Sequence, residues 1–289
     1  MSDYVLVTDS TADLSLKQIR DSDLIVIPMM YTIDSKNYLN DLSSKDLSMK
    51  DYFDLIRQGR LATTSQINSA CYMEHFEKIL QDKKDILYIG FSSALSGSYS
   101  SSLIAIKELS KRYPDRKMLA VDSLAACGGE GLLVYLTSLQ KKMGATLQEA
   151  YDFAQSTKLK IAHWFVVDDL MHLKRGGRLS STSAFFGTLF GIRPVLHVDN
   201  EGRLIPVTKA RGKKAAFNIV LKKMKETIDT KSEQLIIINH ADVLDQTKEI
   251  AKSIKQNLNV KIVINNMGTV IGAHAGPGTI AVFFKASKR

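Results

Sequence analysis

Apolar and polar positions follow one another along this chain in two rhythms, and the balance between them changes near the middle. In the first half, short apolar runs of strand length, rich in Val, Ile and Tyr, stand at 4–10 (YVLVTDS), 24–33 (LIVIPMMYTI), 85–91 (DILYIGF) and 117–123 (KMLAVDS). Between them, apolar residues recur at helical spacing over 46–59, where Gly59 stops the pattern, and over 63–83, which opens on hydroxyls. The same spacing marks 102–113, 129–144 and 147–159, the last opened by a capping box of Thr146 and Glu149. Strand alternating with helix predicts a mostly parallel sheet flanked by helices.

The second half reads differently. A strand at 162–169 is followed by a short helix ending at RGGR, and 193–210 is predicted to be a hairpin around DNEG. An amphipathic helix fills 212–228, strands at 233–241 and 260–268 enclose a helix at 244–258, and the chain closes with VIGAHAGPGTIAVFFKA at 270–286. This order predicts a C-terminal α+β domain with a mixed sheet over 161–289, after an N-terminal α/β domain over 1–160.

Length and composition fit that division. The chain has 289 residues, 45% hydrophobic and 24% charged, ample for two cores. No apolar run has the length to span a bilayer, and the opening residues show neither a basic region nor a cleavage site, so no signal peptide and a cytoplasmic location are expected. Cys71 and Cys127 lie far apart without metal spacing, which fits a reducing compartment. The six histidines form no metal constellation, and His75, His163, His172, His197 and His240 are read as structural. Net charge is +9, and from Leu170 to Lys225 twelve Lys or Arg face only Asp199 and Glu201. Such a stretch suits an anionic partner or is a solvated basic face. It lacks interleaved aromatics and any nucleic-acid-binding module, so no nucleic acid is expected.

The candidate chemistry lies in the turns. Strand-to-helix turns of a parallel sheet gather at the carboxyl ends of the strands. Here they read Asp9-Ser10-Thr11, Thr63-Thr64-Ser65-Gln66, Ser92 to Ser102 and Asp122-Ser123. Seven serines occupy the eleven positions from Ser92 to Ser102. At the start of a helix, free backbone N–H groups and the positive end of the dipole favour an anion; the plainer alternative is an N-cap with spare serines. There is no GxGxxG, no Walker lysine, no Gly-x-Ser-x-Gly elbow and no paired nucleophile and base, so neither a catalytic residue nor a nucleotide cofactor is expected. In LKRGGRLS, Arg175 or Arg178 can hold a carboxylate or phosphate, or the pair can be a helix C-terminus with cations beside a glycine cap. His274, among small residues in GAHAGPG, is read as a ligand contact. Phe185, Phe186, Leu189 and Phe190 load one short segment with apolar bulk, either ordinary core or the wall of a pocket for a greasy tail.

Taken in order, TDSTADL (8–14), TSQ (64–66), GFSSALSGSY (90–99), VDS (121–123), LKRGGRLS (173–180), RGKKAA (211–216) and VIGAHAGPG (270–278) resemble the motifs of the DegV family over essentially the whole chain. The resemblance implies a two-domain α/β fold that holds a long-chain fatty acid between its domains. It also implies a carrier role: family members serve as FakB, the fatty-acid-binding subunit of the bacterial fatty acid kinase. A separate kinase subunit, FakA, phosphorylates the presented acid to acyl phosphate for phospholipid synthesis. Carried over by motif, Thr64, Ser96 and His274 would bind the carboxylate. Arg175, Arg178, Thr63, Ser65 and Gly97 would surround the head group or phosphate. For Arg211, Lys213 and Lys214 the expectation is docking to the kinase subunit or transiently to an anionic membrane surface. The competing reading is an enzyme acting directly on an acyl or other small carboxylate or phosphate substrate. Two sites depart from the family pattern: Ile67 and Asn68 stand where TSQPS has Pro and Ser, and Ser98 stands where Thr is common after LSG.

Overall fold

A computed structural model describes residues 4–41, 46–179, 191–229 and 234–289. The first half runs β1 (Tyr4–Asp9), α1 (Leu16–Asp21), β2 (Leu24–Ile27), β3 (Met30–Ile33), β4 (Lys36–Leu39), α2 (Met49–Arg57), β5 (Ala62–Ser65), α3 (Ser69–Gln81), β6 (Asp85–Gly90), α4 (Ser98–Arg112), β7 (Met118–Asp122), α5 (Gly128–Lys142) and α6 (Leu147–Thr157). Side chains that the sequence places before α1, α2, α3 and α6 do the capping. Ser15 and Thr146 complete capping boxes with Gln18 and Glu149, and Ser48 and Asn68 accept from the backbone N–H three residues on.

The apolar strands β1, β2, β6 and β7 form the expected all-parallel sheet in the order β2-β1-β6-β7. The stretch 24–33 is not one strand. Pro28 separates β2 from β3, and β3 leaves for a second, antiparallel sheet of order β4-β3-β5. Proline has no N–H to give a ladder, which makes it the natural place to change sheets. The hydroxyl-rich segment at 62–65 is thus an edge strand of that small sheet and not a turn of the parallel one.

The second half adds β8 (Ile161–Val166), α7 (Met171–Arg175), β9 (Ile192–Val198), β10 (Leu204–Arg211), α8 (Lys213–Thr227), β11 (Leu235–His240), α9 (Leu244–Asn257), β12 (Lys261–Asn266), α10 (Thr269–Ala275) and β13 (Ile280–Lys285). They make one mixed sheet, β10-β9-β8-β13-β11-β12, in which only β11 and β12 run parallel. The first two sheets are built by residues before 123 and this third one by residues from 161 onward.

Strand alternation divides the mixed sheet's two faces between two cores. Trp164, Val166, Ile236, Ile238, Val282 and Phe284 pack with Phe217 and Met224 of α8 and Ile254 of α9. Phe165, Ile237, Ala281 and Phe283 point the other way and join the core of the first half. Helix α5 lies on that inward face against β8, β11 and β13. The candidate site lies where this face meets the hydroxyl-rich turns. Among the described residues, no helix is long and apolar enough to cross a membrane.

Candidate functional site

A cleft with about 770 Å³ of space between atoms, part of it open to solvent, is lined by both halves of the chain. One rim is polar. Strand β5 contributes Thr64, the turn before α4 contributes Ser96, and α10 contributes His274, with Arg178 beside them. The rest of the lining is mainly apolar and comes from Met29, Phe91, Leu95, Phe165, Val270, Ile271, Ala281 and Phe283 among others, with Ser65, Gln66, His163 and Thr279 the polar members. The shape of the chemistry is a polar head and a greasy body.

Alternation along β5 turns Thr64 inward with Ala62, while Thr63 and Ser65 are exposed. Helix α10 packs on β5 and brings His274 Nε2 to 2.8 Å from Thr64 Oγ1. The close approach of α7 to α10 requires Gly176, because a methyl group there would overlap His274 Nδ1. Burial, and then the Arg178 charge, hold the His274 pKa down to about 4. The ring is therefore neutral near pH 7 and has one N–H. With that hydrogen on Nε2, the ring donates to Thr64 Oγ1 and leaves the threonine O–H free.

Ser96 is arranged the same way by different neighbours. Ser98 N–H donates to Ser96 Oγ at 3.2 Å, and the two hydroxyls are 3.0 Å apart. Ile67 N–H donates to Ser98 Oγ at 3.1 Å. The Ser98 N–H thus fills one acceptor position of Ser96, and the paired hydroxyls hold its Oγ in place. The two departures from the family pattern meet here. A proline at 67 would have no N–H to give, and Ile67 gives one to Ser98. Asn68 meanwhile caps α3 through its side chain.

Arg178 donates from Nε to Leu95 O at 3.1 Å and from a terminal nitrogen to Gly176 O at 2.6 Å. It thereby ties the RGGR turn to the turn before α4 and keeps a cation at the polar rim. Arg175 is exposed, with His172 Nδ1 at 3.3 Å, and is not part of the cleft lining. Gly97 lies against the Gln66 side chain. Lys213 is turned inward, onto Asp168 Oδ1 at 3.1 Å, Gln246 and the Gly278 carbonyl, whereas Arg211 and Lys214 are exposed. Phe185, Phe186, Leu189 and Phe190 lie outside the described residues. Ser10, Thr11 and Asp122 are consumed internally: Ser10 Oγ accepts from Met29 N–H, Asp122 accepts from Ser93 and Leu124 N–H, and Thr11 binds Asp9 and Glu130.

Sequence reasoning missed two features. Glu130, fully buried at the start of α5, accepts from Thr8 and meets Thr11 at 3.0 Å. His163, read as structural, lines the cleft. Neither has a local signature, because each acquires its role from a strand distant in sequence.

The fold and cleft define a class: a two-part α/β protein whose halves enclose an apolar cavity with hydroxyl and imidazole groups at its rim. The chain belongs to the DegV family, whose model matches residues 4–287. It is 41% identical over 285 residues to the DegV domain-containing protein CPE0026 of Clostridium perfringens, covering 98% of each chain. Its fold matches that of a DegV lipid binding protein from Thermotoga maritima with a TM-score of 0.88 at 27% identity, covering 100% of both chains. A DegV family protein from Thermus thermophilus, described as binding fatty acid, matches with a TM-score of 0.89 at 26% identity over 98% of this chain and 99% of that one.

Proposed function

We propose that this chain binds a long-chain fatty acid in the cleft and presents its carboxylate to a separate kinase subunit, which phosphorylates it to acyl phosphate for phospholipid synthesis. The observation that carries the binding half is the set of groups gathered at the rim. Thr64 and Ser96 bring hydroxyls that can donate, with His274 2.8 Å from Thr64 and the Arg178 cation beside them, at the edge of a mainly apolar cleft. A carboxylate only accepts, so it matches that rim, and donors to a charged group are the stronger kind. The fatty acid binding described for the Thermus thermophilus relative supports the same reading. An apolar tail of about sixteen carbons gains on the order of 12 kcal/mol gross at ~0.8 per buried CH₂, part of which offsets the cost of association.

The kinase half rests on the resemblance to the binding subunit of fatty acid kinase. In this reading the chain is a carrier with no chemistry of its own, and the exposed cations Arg175, Arg211 and Lys214 meet the kinase subunit or an anionic membrane. Reconstitution tests it. The chain, a FakA-type kinase from the same organism, ATP and a labelled long-chain acid are combined, and acyl phosphate is trapped as the hydroxamate. Product is expected only when both proteins are present. Product from this chain and ATP alone, or no product from the pair, overturns the reading.

A further inference from the structure

His163 is fully buried, at 0% exposure, and it lines the cleft. Neither of its ring nitrogens has a hydrogen-bond partner. The Ile161 carbonyl on the same strand lies close enough to the ring to favour its charged form, and it already accepts from the Arg289 guanidinium at 3.0 Å. His197 takes the backbone carbonyl of His163 and leaves its ring alone. The ring stands edge-on to Phe283, with centroids 5.5 Å apart, and Nε2 rests against Gly129 at the start of α5, where any side chain would displace it. Burial keeps the imidazole neutral. A buried donor and acceptor without partners carry an unrecovered desolvation penalty, and they do so inside the cavity assigned to an acyl tail.

The position along the cavity follows from the ladder. Thr279 donates to Ala275 O beside His274, at the head-group end, and Phe283 is the register partner of His163. From Thr279 to Phe283 the strand advances about 13 Å at ~3.3 Å per residue. An extended alkyl chain advances about 1.25 Å per carbon for C–C bonds of ~1.5 Å. For a tail laid extended along this strand from the head-group end, His163 stands about ten carbons from the carboxylate.

We propose that His163 forms a second polar subsite, and that this chain prefers acyl ligands bearing a hydroxyl group near mid-chain. The proposal rests on the fatty-acid reading above. A hydroxyl both donates and accepts, so it can serve the N–H or the lone pair of a neutral imidazole, whichever faces it. A second carboxylate would be buried as an ion, and the Arg289 guanidinium, whose charge reaches His163, already donates to four backbone carbonyls. A plain alkyl chain leaves the ring unpartnered.

The test compares dissociation constants for octadecanoic, 10-hydroxyoctadecanoic and 3-hydroxyoctadecanoic acids. One hydrogen bond is expected to make the 10-hydroxy acid about threefold to tenfold tighter than the plain acid, with no gain for the 3-hydroxy acid. In His163→Leu and His163→Met the ratio of 10-hydroxy to plain acid falls to about one. In the wild type, the imidazole ¹⁵N shifts of His163 move on adding the 10-hydroxy acid and not on adding octadecanoate, a readout independent of how the variants fold. Equal affinities in the wild type, or a preference that survives both substitutions, overturns the subsite. If no acid binds the wild type, the fatty-acid reading itself fails.

Discussion

Ser96 is held by Ser98, whose N–H donates to Ser96 Oγ at 3.2 Å and whose hydroxyl lies 3.0 Å from it. Ser98 lines no part of the cleft, yet it positions the hydroxyl that does. Ser98→Ala is expected to weaken fatty-acid binding about fivefold, the worth of roughly one hydrogen bond, and Ser98→Thr to restore it. Titration calorimetry of the pair decides this, and an unchanged Ser98→Ala would show that this positioning is idle. A second residue-scale expectation concerns Glu130. Asp9 accepts from Thr11 N–H, Thr11 O–H, Tyr88 O–H and Phe91 N–H. Thr11 Oγ1 also meets Glu130 at 3.0 Å, and the Glu130 carboxyl pKa is raised well above its ordinary value by burial and then by the Asp9 charge. A raised carboxyl pKa contributes stability that is complete below the ordinary value and is lost as pH rises through the folded one. Thermal melts from pH 5 to 9 should show a falling Tm in the wild type and a shallower fall in Glu130→Gln. Parallel profiles would contradict the assignment. The hydroxyl-rich turns and a histidine among glycines were legible as local patterns, whereas Thr64 and Ser96 were singled out within them by the family resemblance. Their contacts were not legible, since they depend on Ile67, Ser98 and His274 meeting across the fold.

At the scale of elements, the sequence reading recovered the parallel sheet, the hairpin and the Thr146–Glu149 capping box, while the Ser15–Gln18 box went unread. It placed Thr64 on a turn when it lies on β5, an edge strand four residues long. A run of hydroxyls carries little hydrophobic signal, and only pairing with β3 reveals it as a strand. It also merged β2 with β3, because alternation continues across Pro28 while the partner sheet changes. The packing of α7 on α10 gives a direct test at this scale. Gly176 has an ordinary helical φ of −71°, so Gly176→Ala adds bulk without backbone strain. The added methyl would meet His274 Nδ1 and move the ring off Thr64. Fatty-acid affinity should fall about tenfold, the loss of one bond to a charged acceptor, with little change in Tm. An affinity equal to wild type would mean that the Thr64–His274 contact does not matter for the ligand.

Across the whole molecule, the mixed sheet spends one face on its own helices and lends the other to the first half, and the cleft is the seam. Arg289 closes that seam at its far side. Its guanidinium donates to Leu124 O and Lys158 O at 2.7 Å and to Ile161 O and Asp199 O at 3.0 Å, joining segments from both halves. Arg289→Ala is expected to lower Tm by about 5 °C and to speed amide exchange around residue 161, whereas an unchanged Tm would show that the halves hold without it. The central claim, that the cleft holds a fatty acid by its carboxylate, is tested most directly by binding of a labelled C16 or C18 acid to wild type, Thr64→Val and His274→Ala. The account predicts one acid bound per chain in the wild type and affinities about tenfold to a hundredfold weaker in each variant. A wild type that binds no acid, or variants that bind as tightly as it does, would contradict it.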